Sequence, residues 1–220
     1  QDWGDFDRDG DLDLTLGSSL GTSIYRNDNG ELVRIWDSAT GAGEDYRLSY
    51  GVRWADLDQD SQQDLELAAV GESVDGSAVS PGINYVYKYS RAVQSFVQTS
   101  VFTSQYQLVR LAPADYDGDG DVDLVASTNA IVAGSICPVM LYRNDGTGTF
   151  SGTIGLGDDL ISAPSPQTEC LSDYATAALG PGDFDEDGDV DLAIGVFPGT
   201  IQLLVNDSNG QVVTQTNPFS

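Results

Sequence analysis

Asp115–Asp123 reads DYDGDGDVD, and three other stretches follow the same template: DFDRDGDLD at Asp5–Asp13, DLDQDSQQD at Asp56–Asp64 and DFDEDGDVD at Asp183–Asp191. Each has Asp at its first, third, fifth and ninth positions. In three copies a Gly follows the fifth position (Gly10, Gly120, Gly188), and an apolar residue is second in all four (Phe6, Leu57, Tyr116, Phe184). A hard cation such as Ca2+ takes roughly six to eight oxygens at about 2.3–2.6 Å, and alternating short carboxylates on one tight loop supply most of them. The Gly permits the left-handed backbone angle that folds such a loop around an ion. By analogy with other loops of this kind, the seventh position offers its backbone carbonyl.

One acidic run is ordinarily a solvated turn or a disordered stretch. Four in register predict calcium loops instead, with up to four Ca2+. The candidate metal ligands are Asp5, Asp7, Asp9, Asp11 and Asp13; Asp56, Asp58, Asp60, Gln62 and Asp64; Asp115, Asp117, Asp119, Asp121 and Asp123; and Asp183, Asp185, Asp187, Asp189 and Asp191. The copy at Asp56 is expected to be the weakest, because Ser61 stands where the others have Gly and Gln62 removes a negative charge.

The chain has 220 residues, 40% of them hydrophobic, which is enough to bury a core. Its formal net charge is −26, and the four loops hold more than half of its 35 Asp and Glu residues. Only nine Lys and Arg are present, scattered, so a nucleic-acid partner or attraction to an anionic membrane is not expected. No apolar run approaches the length that crosses a bilayer, and membrane insertion is not expected either. The chain opens at Gln1, almost inside the first loop, and the expectation is that processing removed what preceded it or that it is a segment of something longer. Cys137 and Cys170 are the two cysteines. In an oxidising compartment, where millimolar calcium is also found, they are expected to form one disulfide.

The first Asp of each loop recurs at 5, 56, 115 and 183. A second marker follows three of the loops at a similar interval: YRNDNG at Tyr25–Gly30, YRNDGTGTF at Tyr142–Phe150 and LVNDSNG at Leu204–Gly210. Asn-Asp-Gly chemistry between apolar-alternating segments is a hairpin signal. Each repeat thus reads as four short strands. In the third they are Gln107–Ala114 before the acidic loop, Asp123–Ser127 after it, Pro138–Asn144 into the turn and Thr149–Ile154 out of it. The first repeat has only Gln1–Gly4 for its opening strand. No window carries a helical period. The approximate repeats are 1–47, 48–105, 106–173 and 174–220 of a single all-β domain, with the Pro- and Ser-rich Gly155–Ser172 as the longest loop.

Four-stranded units of roughly 40–60 residues in series are the signature of a β-propeller. The chain resembles the FG-GAP/VCBS repeats, the family that includes the propeller of integrin α-chains. The resemblance rests on the acidic loops, the lead-in pairs Trp3-Gly4, Trp54-Ala55, Pro113-Ala114 and Pro181-Gly182, the strand leaving each loop, and the Tyr-Arg-Asn-Asp turns. It implies an acidic loop joining the first two strands of each four-stranded antiparallel blade, with calcium on one face. Propellers of this family usually have about seven blades. The four repeats are therefore expected to be part of a larger propeller, or to be completed by another chain, and not to close as a four-bladed ring.

The sequence has no histidine, which removes Ser-His-Asp and Cys-His sites and the commonest general base near neutral pH. No carboxylates outside the loops form a recognisable pair, so no catalytic residue and no enzyme activity is expected. Trp3, Trp54 and the alternating Tyr85, Tyr87 and Tyr89 could stack on sugar rings, but their placement favours packing between blades. The leading expectation is a non-catalytic, calcium-binding, extracellular or cell-surface module for adhesion or surface assembly, taking a protein or glycan through one propeller face. The alternative is the propeller portion of a secreted polysaccharide-active enzyme.

Overall fold

The computed structural model describes residues 1–38, 49–60, 66–72, 82–104, 108–128, 139–155, 176–196, 200–207 and 211–216. Among the described residues sixteen strands form four sheets of four, each with its strands in chain order. The first sheet holds β1 (Asp2–Gly4), β2 (Asp13–Ser18), β3 (Gly21–Asp28) and β4 (Glu31–Asp37). The second holds β5 (Gly51–Ala55), β6 (Glu66–Glu72), β7 (Gly82–Ser90) and β8 (Ser95–Ser104). The third holds β9 (Leu108–Ala114), β10 (Asp123–Thr128), β11 (Val139–Asn144) and β12 (Phe150–Gly155), and the fourth β13 (Thr176–Gly182), β14 (Asp191–Val196), β15 (Thr200–Asp207) and β16 (Gln211–Thr216). Every neighbouring pair is antiparallel. The described residues contain no helix, and so none long and apolar enough to cross a membrane.

The alternation of side chains along each strand gives every sheet two apolar faces, and consecutive sheets bury them against each other. Between the first and second sheets lie Phe6, Ile24, Val52, Trp54, Tyr85, Tyr87 and Phe96. Phe6 is their centre: its ring stacks on Trp54 at 5.8 Å and meets Phe96 edge-on at 5.0 Å. Between the second and third sheets Leu57, Val86 and Phe102 meet Leu111, Leu124, Tyr142 and Phe150. Between the third and fourth, Tyr116, Val125 and Leu141 meet Leu192, Ile194 and Leu204.

The apolar second position of each of the first three acidic loops thus plugs into the following sheet. Phe6, Leu57 and Tyr116 are 1%, 0% and 3% exposed, whereas Phe184, on the last loop, is 50% exposed. The other end is the converse. Trp54 is buried on the first sheet, while Trp3, at the same place in the first repeat, is 47% exposed. The packing role read for Trp54, Tyr85 and Tyr87 holds, and Trp3 departs from it because the described residues place no sheet before it. Cys137 and Cys170 lie outside the described residues, as do 156–175, which include most of the Pro- and Ser-rich loop.

Candidate metal centres

Each acidic loop joins the first two strands of its sheet, and in the three Gly-containing loops the ninth Asp is also the first residue of a strand. That residue is buried: Asp13 and Asp123 are 0% exposed and Asp191 is 1%. The backbone secures both of its oxygens. Asp13 accepts from the N–H of Phe6 (3.1 Å) and of Asn27 (2.9 Å). Asp123 does so from Tyr116 (3.2 Å) and Asn144 (2.9 Å), and Asp191 from Phe184 (2.7 Å) and Asn206 (2.8 Å). The start of the loop and the hairpin turn are thereby tied to one carboxylate, and each oxygen keeps a lone pair for a further partner.

The first Asp folds the loop. Asp5 accepts from the N–H of Asp9 and Gly10, and Asp183 in the same way from Asp187 and Gly188. Asp115 accepts from Gly118 and Gly120. The fifth Asp of each (Asp9, Asp119, Asp187) accepts from the N–H of the seventh residue at 2.9–3.0 Å. The turn glycines take the expected left-handed angle, with φ of 97° at Gly10, 98° at Gly120 and 101° at Gly188. The fourth position does so as well: φ is 62° at Arg8, 43° at Gln59, 74° at Gly118 and 63° at Glu186. This second left-handed residue is not visible in the sequence, where only Gly118 marks it.

These bonds bring three carboxylates together in each Gly-containing loop. Asp5, Asp7 and Asp13 each direct an oxygen to within 4.8 Å of the others, as do Asp115, Asp117 and Asp123, and Asp183, Asp185 and Asp191. Two oxygens bound to one Ca2+ at about 2.3–2.6 Å lie no more than about 5 Å apart, so the spacing fits a shared hard cation. The donor set fits as well, being carboxylate throughout. In the first loop the seventh Asp is bonded elsewhere: Asp11 accepts from the N–H of Asn29 at 3.0 Å, on the hairpin turn.

The clustered carboxylates repel one another and lie partly out of water. Burial, opposed by the N–H bonds of Asn27 and Phe6, raises the Asp13 carboxyl to about 6. Burial raises Asp123 to about 6 against the bonds from Asn144 and Tyr116. Asp7 and Asp117 are also raised, by burial first and then by the neighbouring fifth-position Asp.

The second loop is built differently. In the other sheets the ninth Asp pairs with the residue before the first Asp: Asp13 with Gly4, Asp123 with Ala114, Asp191 with Gly182. Here Ala55 pairs with Glu66, two residues beyond Asp64. Asp58 and Asp60 both bond the ε-ammonium of Lys88, at 2.7 and 2.9 Å. Ser61, Gln62 and Asp64 lie outside the described residues.

A second device connects neighbouring repeats. The amide of Asn206 donates to Val190 O of its own loop (3.4 Å) and to Tyr116 O of the preceding one (2.9 Å). Asn144 does the same with Val122 O and Leu57 O. Asn27 bonds Leu12 O of its own loop at 3.1 Å. The Asn of the hairpin signal is therefore also a clamp between sheets.

This arrangement defines an all-β chain of serial four-stranded antiparallel sheets with acidic loops between their first two strands. Residues 5–65 match the family model of the FG-GAP-like repeat, a span that runs from the first acidic loop through the second. Comparison with curated proteins returns no match.

Proposed function

We propose that this chain is a calcium-stabilised β-propeller module, or an arc of one, that works outside the cell without catalysis and presents one face to a protein or glycan. The observation that carries the reading is the recurrence of one carboxylate triad, at the first, third and ninth loop positions, in three repeats. Bound Ca2+ would supply structural charge compensation. The residues that would hold it are Asp5, Asp7 and Asp13, Asp115, Asp117 and Asp123, and Asp183, Asp185 and Asp191, with the fifth-position Asp and the seventh-position carbonyl beside them.

The exposed Phe184 supports the propeller reading, because its counterparts Phe6, Leu57 and Tyr116 are each buried against a following sheet. Millimolar calcium makes the extracellular side the place where such loops fill. The calcium part is tested by melting the protein in excess Ca2+ and in excess EGTA. A lower melting temperature in EGTA is expected, and an unchanged curve would contradict it. The recognition part is tested on protein and glycan arrays, where binding should require Ca2+ and no glycan should be cleaved. Cleavage would favour the polysaccharide-active alternative.

A further inference from the structure

Resting on the calcium reading, we propose that the second acidic loop takes its cation from the chain itself: the ε-ammonium of Lys88 occupies the loop, and the protein binds three calcium ions rather than four. Lys88 reaches Asp58 Oδ2 at 2.7 Å and Asp60 Oδ2 at 2.9 Å, the third and fifth loop positions, and its side chain is only 17% exposed. The third position is one of the three that converge in each of the other loops.

Strand register shows why this repeat differs. The residue before Lys88, Tyr87, pairs with Leu67 as Tyr25 pairs with Leu14, Tyr142 with Leu124 and Leu204 with Leu192. Lys88 therefore shares its place with Arg26, Arg143 and Val205. The Arg26 guanidinium is held by Asp28 through two bonds, at 2.7 and 2.9 Å, on the turn. Arg143 brings Nε within 3.4 Å of Asp117, and Val205 has no charge. A planar guanidinium cannot fill an ion-sized site, whereas an ammonium is a compact charge with three donors that can. For Ca2+ to enter, the ammonium would have to leave both carboxylates, and a Ca2+ and the ammonium in one loop would repel each other.

The test is the calcium count of the full 220-residue chain, by native mass spectrometry checked by equilibrium dialysis. Wild type should hold three ions and Lys88→Met four. Four ions in wild type would overturn the inference and leave the calcium reading standing, and three in Lys88→Met would overturn it as well. No ions in either protein would sink both. Should Lys88→Met fail to fold, two further variants decide. Asp58→Asn should still hold three ions, while Asp117→Asn should hold two. A count of two for Asp58→Asn would show that the second loop binds calcium and overturn the proposal.

Discussion

The side-chain amide of Asn206 donates to the carbonyl oxygen of Tyr116 at 2.9 Å across 90 residues of sequence. Through that bond the hairpin of the fourth sheet holds the acidic loop of the third at its second residue, between Asp115 and Asp117. Asn144 grips the second loop at Leu57 in the same way. Loop shape and sheet stacking are therefore linked, and whatever orders a loop also orders the interface beside it.

Asn206→Ala and Asn144→Ala should each lower stability by about 1–3 kcal/mol, because both leave a buried carbonyl oxygen short of a partner. Chemical denaturation measures this. Asn27→Ala should cost less, since Asn27 serves its own loop.

Trp54 and Trp3 hold one sequence position and two environments. Trp54→Ala removes the ring stacked on Phe6 and should cost about 3–5 kcal/mol. Trp3→Ala should change stability by no more than about 0.5 kcal/mol. Equal losses in thermal melts would show that Trp3 is covered in solution, as a ring closed by its own ends would require.

The propeller-like repeat was legible because alternation, turn chemistry and acidic loops recur together. The first, third and ninth Asp of the Gly-containing loops were legible for the same reason. What could not be read from sequence was pairwise. Lys88 is one of nine basic residues and nothing near it in sequence names Asp58 and Asp60, which lie 30 and 28 residues earlier. The two-residue shift that sets Glu66 opposite Ala55 was likewise hidden, because Asp64 completes the template so well. The left-handed fourth position was masked by Arg8, Gln59 and Glu186, residues that carry no turn signal.

That fourth position is testable. Glu186 sits at φ 63° and Arg8 at φ 62°, a conformation costing roughly 1 kcal/mol or more for a residue with a Cβ. Glu186→Gly and Arg8→Gly should leave stability unchanged or raise it by up to about 1 kcal/mol. Gly120→Ala, at φ 98° with open space around it, should lower it through backbone strain alone. Denaturant midpoints of the four proteins check the order.

The buried carboxyls set a pH dependence. Asp13 and Asp123 titrate near 6 in the folded chain against an ordinary 3.8, so between those values the folded state holds protons that the unfolded state has lost. Their contribution to metal-free stability is therefore largest at low pH and is lost as pH rises from about 4 through about 6. Calcium bound as proposed would compete with those protons, so its affinity should fall as pH drops below about 6. Melting in EGTA and calcium titration, each from pH 4.5 to 7.5, test both signs, and an Asp13→Asn/Asp123→Asn variant should show a flatter melting profile.

If the carboxylate triads are calcium sites, anomalous scattering from crystals grown in calcium, at a wavelength where calcium contributes, will locate the ions between them. Peaks are expected among Asp5, Asp7 and Asp13, among Asp115, Asp117 and Asp123, and among Asp183, Asp185 and Asp191. Well-ordered loops with no anomalous density between those carboxylates would contradict the account.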